Sequence, residues 1–150
     1  MNKKRILSYA GGVVLAFALG HSLARIGEDD RIKSYIHSNL ESPPAQQFVM
    51  QSNPIEIKNK ENLQEATLEA LTQAHQQVCN LIEYDTSSDN IFTRPSVFAR
   101  LPEGKGRCQE FALLTYAKFL DATDKNNFSD MKNRVRVAIG RAEGEGHMWL

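Results

Sequence analysis

Two cysteines, one tryptophan and no surplus of charge of either sign set the first limits on this 150-residue sequence. Lys plus Arg and Asp plus Glu both number 18, so the formal net charge is zero. A chain without a basic surplus lacks the electrostatic footprint of a nucleic-acid binder, and a polyanion partner is not expected. Two cysteines, Cys79 and Cys108, allow a single intrachain disulfide. Paired ligand motifs such as C-x-x-C or H-E-x-x-H are missing, so neither a metal centre nor a cofactor is expected. No stretch repeats itself and no low-complexity tract stands out, which excludes solenoids and propellers. The length suits one domain.

What is present begins at the N-terminus. Lys3, Lys4 and Arg5 precede an apolar run from Ile6 to Leu19, the layout of a secretory signal peptide. Ser22 and Ala24 are small residues suited to cleavage after Ala24, and Ala16 and Ala18 offer a second option. Continued through Leu23, the 18 residues from Ile6 reach the minimum for a bilayer span, so an uncleaved anchor is the other reading, and a buried N-terminal helix is a third. The first two export the rest of the chain to a periplasmic or other extracytoplasmic space, with membrane association through the leader. Without residues 1–24 the balance is 15 basic against 18 acidic residues, a formal charge of minus three.

Residues 25–60 are polar, with "EDD", the Pro43-Pro44 pair and Asn53-Pro54, and read as a linker or loose extension. A domain over 61–150 is expected to follow. Asn62 and Glu65 have the spacing of a helix N-cap and its third-position acid, and Leu63, Ala66, Ala70, Leu71, Ala74, Val78, Leu81 and Ile82 recur at helical intervals, predicting a helix over 62–84. Cys79, beside Val78, reads as a small buried hydrophobe. His75, flanked by Gln73, Gln76 and Gln77, reads as part of a solvated face. Residues 85–107 are rich in turn formers and read as loop, with one short helical turn around Ser96 to Ala99. A second, largely buried helix is expected from Cys108 through Leu120. Val135, Val137 and Ile139 alternate with Arg134, Arg136 and Ala138, predicting a strand; Gly140, Gly144 and Gly146 bracket a loop, and "HMWL" starts the returning strand of a hairpin with His147 and Trp149 on one face.

The chemistry-bearing stretch is "GKGRCQEFALLTYAKFL", Gly104 to Leu120. It places Cys108 where a glycine-containing turn becomes a helix, whose free N-H groups and dipole favour a thiolate. Gly104 and Gly106 are expected to let the backbone turn and a substrate approach, while Lys105 and Arg107 add positive charge with side chains toward water. Glu110 is expected to cap the first turn. Nucleophilic catalysis needs a base, and His147 is the candidate. The separation of 39 positions accommodates a helix of about 13 residues, roughly 20 Å long, a connection and a returning strand.

A helix ending in "NLIEYD", a loop, "GKGRCQEFALLTYAKFL", the strand "VRVAIG" and then "GHMWL" resemble, in that order, the transglutaminase-like superfamily of papain-like cysteine enzymes. The resemblance covers roughly Asn62 to Leu150 and is most specific at Gly106 to Ala112 and Gly146 to Trp149. It implies an α+β fold with the nucleophile at a helix N-terminus packed on an antiparallel sheet. It also implies Cys108 as nucleophile, His147 as general base and acid, a thioester intermediate, and a protein or peptide substrate. The implied activity is that of a thiol peptidase or amidase; a catalytically inactive binding or scaffolding module of the same fold and a structural domain closed by a Cys79–Cys108 disulfide are the alternatives. In that family an Asp or Asn on the strand after the histidine orients the ring, whereas this chain stops three residues past His147. The sequence is therefore expected to be a fragment, with a naturally truncated domain and another residue in the orienter's place as the alternatives, and none of its Asp residues is assigned as the orienter.

Overall fold

The computed structural model describes residues 30–59, 61–85, 97–98, 100–142 and 145–150. The leader expected over 1–24 lies outside them, as do Ser96 and Ala99 of the short helical turn expected there, while Val97 and Phe98 between them form a turn. Helices α1 (Asp30–Leu40), α2 (Pro43–Gln51), α3 (Leu63–Leu81) and α4 (Cys108–Lys125) are accompanied by two two-stranded sheets: a parallel pair, β1 (Glu83–Tyr84) with β2 (Lys105–Gly106), and an antiparallel hairpin, β3 (Ala138–Ala142) with β4 (Glu145–Trp149), which adds Met148 to the core. This is a mixed helix and small-sheet architecture, α+β in the general sense. Among the described residues no helix is long and apolar enough to cross a membrane.

The linker reading of residues 25–60 is corrected. Pro43 and Pro44 occupy the first turn of α2, where a fixed φ suits the helix and a missing N-H has no carbonyl to lose. Ala45 and Phe48 of that helix are buried, as are Ile55 and Ile57 beyond it. The extended segment 53–59 is laced to α3 by that helix's polar stripe: Gln77 Nε2 donates to the Asn53 carbonyl at 3.0 Å and Gln73 Nε2 to the Glu56 carbonyl at 3.2 Å. Glu69 Oε2 accepts the Lys58 N-H at 3.1 Å. A face that reads as solvated is thus covered by backbone.

The two long helices follow the expectation. Asn62 caps α3, its side chain accepting the N-H groups of Gln64 and Glu65 at 3.0 and 3.3 Å. Helix α4 runs antiparallel to α3 and is buried on nearly every side. Ala66, Ala70, Leu71 and Ala74 share one cluster with Phe119 and Ala122; Val78 and Ile82 share another with Ala112, Leu113 and Leu114. The two polar interruptions in α4 are themselves inside: Thr115 is 2% exposed and Lys118 0%, the Lys118 ammonium lying 3.3 Å from Asp121. The expected hairpin forms, but its first strand starts at Ala138 rather than near Val135; Ser129–Arg134 is a 3-10 helix and residues 135–137 join the two. Gly140 and Gly146 lie within the strands, Gly140 opposite His147.

Candidate functional site

The entry to α4 is built by the β1–β2 pair. The Glu83 N-H donates to the Gly104 carbonyl and the Asp85 N-H to the Gly106 carbonyl, each at 2.8 Å. These bonds pin the segment before Cys108 to the segment that leaves α3. Gly104 ends a 3-10 turn with φ 70, in the left-handed region that glycine enters freely. Gly106 serves a different purpose. A Cβ there would stand 2.8 Å from Ile82 Cδ1 and 2.9 Å from Glu110 Cβ, so its missing side chain admits the packing of α3's exit against α4. The space reserved by Gly106 is filled by protein, which corrects the expectation that it leaves room for a substrate.

Cys108 is the first residue of α4, half-buried, preceded by extended Arg107 as N-cap. Glu110, 1% exposed, accepts the Arg107 N-H through Oε2 at 3.0 Å and so caps the turn as expected. An arginine side chain has no acceptor for the reciprocal bond of a capping box, so the cap rests on Glu110. Helix α1 packs against α4, and burial, with the Glu110 carboxylate second, holds the Tyr35 phenol above its ordinary value.

Charge at this point is organised by Asp85, which is 7% exposed. Its Oδ2 accepts a hydrogen bond from Arg100 Nη1 and lies 3.9 Å from Arg107 Nε. The Arg107 side chain is only 12% exposed, against the expectation that it faces water. Arg100 also lies 3.3 Å from Glu103, and the Glu110 carboxylate sits at the same entry, so the two guanidiniums beside Cys108 are matched by carboxylates. Asp85 and Arg100 fall in the stretch that sequence reasoning treats as loop.

His147 lies in β4, and the hairpin packs on α4 through Met148, which shares a cluster with Ala112, Leu113 and Leu114. Strand alternation puts Met148 and Leu150 on the core side, with His147 and Trp149, both half-buried, on the other. The fold thus brings the strand of His147 onto the helix of Cys108. No hydrogen bond links those two side chains among the described residues, and neither cysteine is in a disulfide.

A different cysteine and histidine do meet. His75 Nε2 lies 3.4 Å from Cys79 Sγ, and His75 Nδ1 lies 3.4 Å from Thr115 Oγ1 of α4. The two sequence readings are reversed: Cys79 is exposed, while His75 is half-buried with its ring 6.3 Å from that of Phe111. Both sit where α3 meets α4, one turn apart, and the i, i+4 spacing was the signal available in sequence. Desolvation pushes the His75 imidazole below its ordinary value and the Cys79 thiol above its own.

The His75 shift has a sign that can be checked. The unfolded chain takes up this proton near the ordinary value of 6.5, the folded chain only at lower pH. Between the two the unfolded state holds more protons, so stability falls as the solution is acidified. Urea unfolding from about pH 7 to pH 5 is expected to show this decline, and His75→Gln is expected to make it shallower.

Comparison of the chain with protein families, with curated proteins and with solved structures finds no match.

Proposed function

We propose that the chain is an exported or membrane-anchored thiol hydrolase, a peptidase or amidase of the transglutaminase-like class on a papain-like core, with Cys108 as its nucleophile. The observation that carries the reading is the position of Cys108 as the first residue of an 18-residue helix. The dipole of a helix favours an anion at its N-terminus. In the proposed reaction Sγ attacks the carbonyl carbon of a protein or peptide substrate as its proton passes to His147. The backbone N-H of Cys108 stabilises the oxyanion, the amine leaves with the proton held on His147, and water hydrolyses the thioester. A catalytic hydrogen bond formed only with substrate in place accommodates the separation of the Cys108 and His147 side chains. The resemblance of Gly106 to Ala112 and Gly146 to Trp149 supports the assignment, and the leader pattern of residues 1–24 supports export.

The test is competitive alkylation by iodoacetamide at neutral pH, followed by peptide mass spectrometry. Cys108 is expected to react at least about tenfold faster than Cys79, and His147→Ala is expected to remove most of that advantage. Equal rates for the two thiols would sink the catalytic reading.

A binding or scaffolding module of the same class is the second reading, favoured by the placement of His147 and Trp149 on the hairpin face opposite Met148. It predicts that His147→Ala leaves Cys108 alkylation unchanged.

A further inference from the structure

His75, Cys79 and Thr115 stand apart from the chemistry assigned to Cys108 and are joined in one chain of 3.4 Å contacts between α3 and α4. Zinc bonds of about 2.3 Å to sulfur and about 2.0 to 2.1 Å to nitrogen, held at a tetrahedral angle, put the two donors about 3.5 Å apart. Cys79 Sγ and His75 Nε2 are 3.4 Å apart. They project from successive turns of one helix, the i, i+4 spacing by which paired ligands on a helix reach one ion. The other ring nitrogen, Nδ1, faces Thr115 Oγ1 at 3.4 Å, and Thr115 is 2% exposed. With the N-H on Nδ1 donating to that hydroxyl, the lone pair of Nε2 is presented to the sulfur side, the arrangement by which outer partners orient metal-bound histidines. Phe111 packs beside the ring and restricts its rotation.

We infer that His75 and Cys79 form a two-donor chelate for a thiophilic divalent cation of the zinc type, oriented by Thr115. No group of three or more His, Cys, Asp and Glu side chains is arranged to hold a metal among the described residues. The remaining positions are therefore taken by water, which the exposure of Cys79 allows. The ion displaces the thiol proton and binds the neutral imidazole without displacing one, so each ion bound releases one proton from protein.

The site is tested on the full chain carrying Cys108→Ser, so that Cys79 is the one thiol left, by titration with Cd2+ alone and observation of the ultraviolet thiolate-to-metal charge-transfer band. A saturable one-to-one band is expected, displaced by Zn2+, abolished by Cys79→Ser and strongly weakened by His75→Gln. Thr115→Val is expected to weaken binding by about tenfold, with Thr115→Ser restoring it. No band, or a band indifferent to His75→Gln, overturns the inference. A readout that leaves His75, Cys79 and Thr115 intact is the heat of Zn2+ binding in buffers of different ionisation enthalpy. About one proton released per ion supports the chelate; none released excludes Cys79 as a ligand.

Discussion

Asp85→Ala is expected to lower the stability of the folded chain by about 3 kcal/mol, toward the lower end of the cost of removing one partner from a buried ion pair. The carboxylate is 7% exposed and holds two guanidiniums whose side chains are 24% and 12% exposed. Without it Arg107 loses this counter-charge in a largely desolvated place, while Arg100 retains Glu103 at 3.3 Å. The loss concentrates on Arg107, the N-cap of α4. Urea unfolding is expected to show a lower midpoint with an unchanged slope, and Asp85→Asn, which keeps an acceptor, is expected to recover part of the loss. A change within about 0.5 kcal/mol, the range of ordinary surface substitutions, would mean that the cluster contributes nothing to holding the helix entry.

Gly106→Ala is the second large effect. The added methyl meets Ile82 Cδ1 at 2.8 Å and Glu110 Cβ at 2.9 Å. The first of these is the end of a side chain that can shift, whereas the second is tied to the backbone of α4. Overpacking of this kind costs about 1 to 3 kcal/mol. Because the strain is relieved by moving the first turn, Cys108 moves with it, and its alkylation rate is expected to change along with the melting temperature. Ile82→Val deletes the Cδ1 atom, so the double variant is expected to be less destabilised than the sum of the two single changes, the remainder reflecting Glu110. Gly104→Ala separates space from conformation. Nothing lies within 4 Å of a Cβ there, and its cost, about 1 kcal/mol, comes from φ 70 alone. If Gly106→Ala and Gly104→Ala were equally mild, the close approach to Glu110 would not be a constraint on the fold.

The parts of this molecule legible in its sequence are those with a long period or a specific end. Asn62 with Glu65 announces α3, the apolar run after Cys108 announces a buried helix, and alternation after Val135 announces the hairpin. What was not legible had either no period or two meanings. Strands of two residues, such as Glu83–Tyr84 and Lys105–Gly106, carry no alternation, so the parallel pair that positions Cys108 left no trace. Pro43-Pro44 signals a break and a helix start equally well, and the start won because the N-H groups that proline lacks are those with no partner in a first turn. The glutamines around His75 gave the polarity of its neighbours without giving the direction of its own ring. Gln73 and Gln77 cover segment 53–59, while His75, two residues from each and so about half a turn round the helix, points to Thr115.

The parallel pair has a consequence for how this chain can be altered. Its two bonds, Glu83 to Gly104 and Asp85 to Gly106, close the excursion between Tyr84 and Lys105 at its neck. The entropy of closing such a loop rises only with the logarithm of its length, about 0.6 kcal/mol for each doubling. A change in the length of chain between the two strands therefore alters the free energy of this closure only slightly. The entry of α4 is in this sense fastened to the exit of α3 rather than to the chain that leads into it.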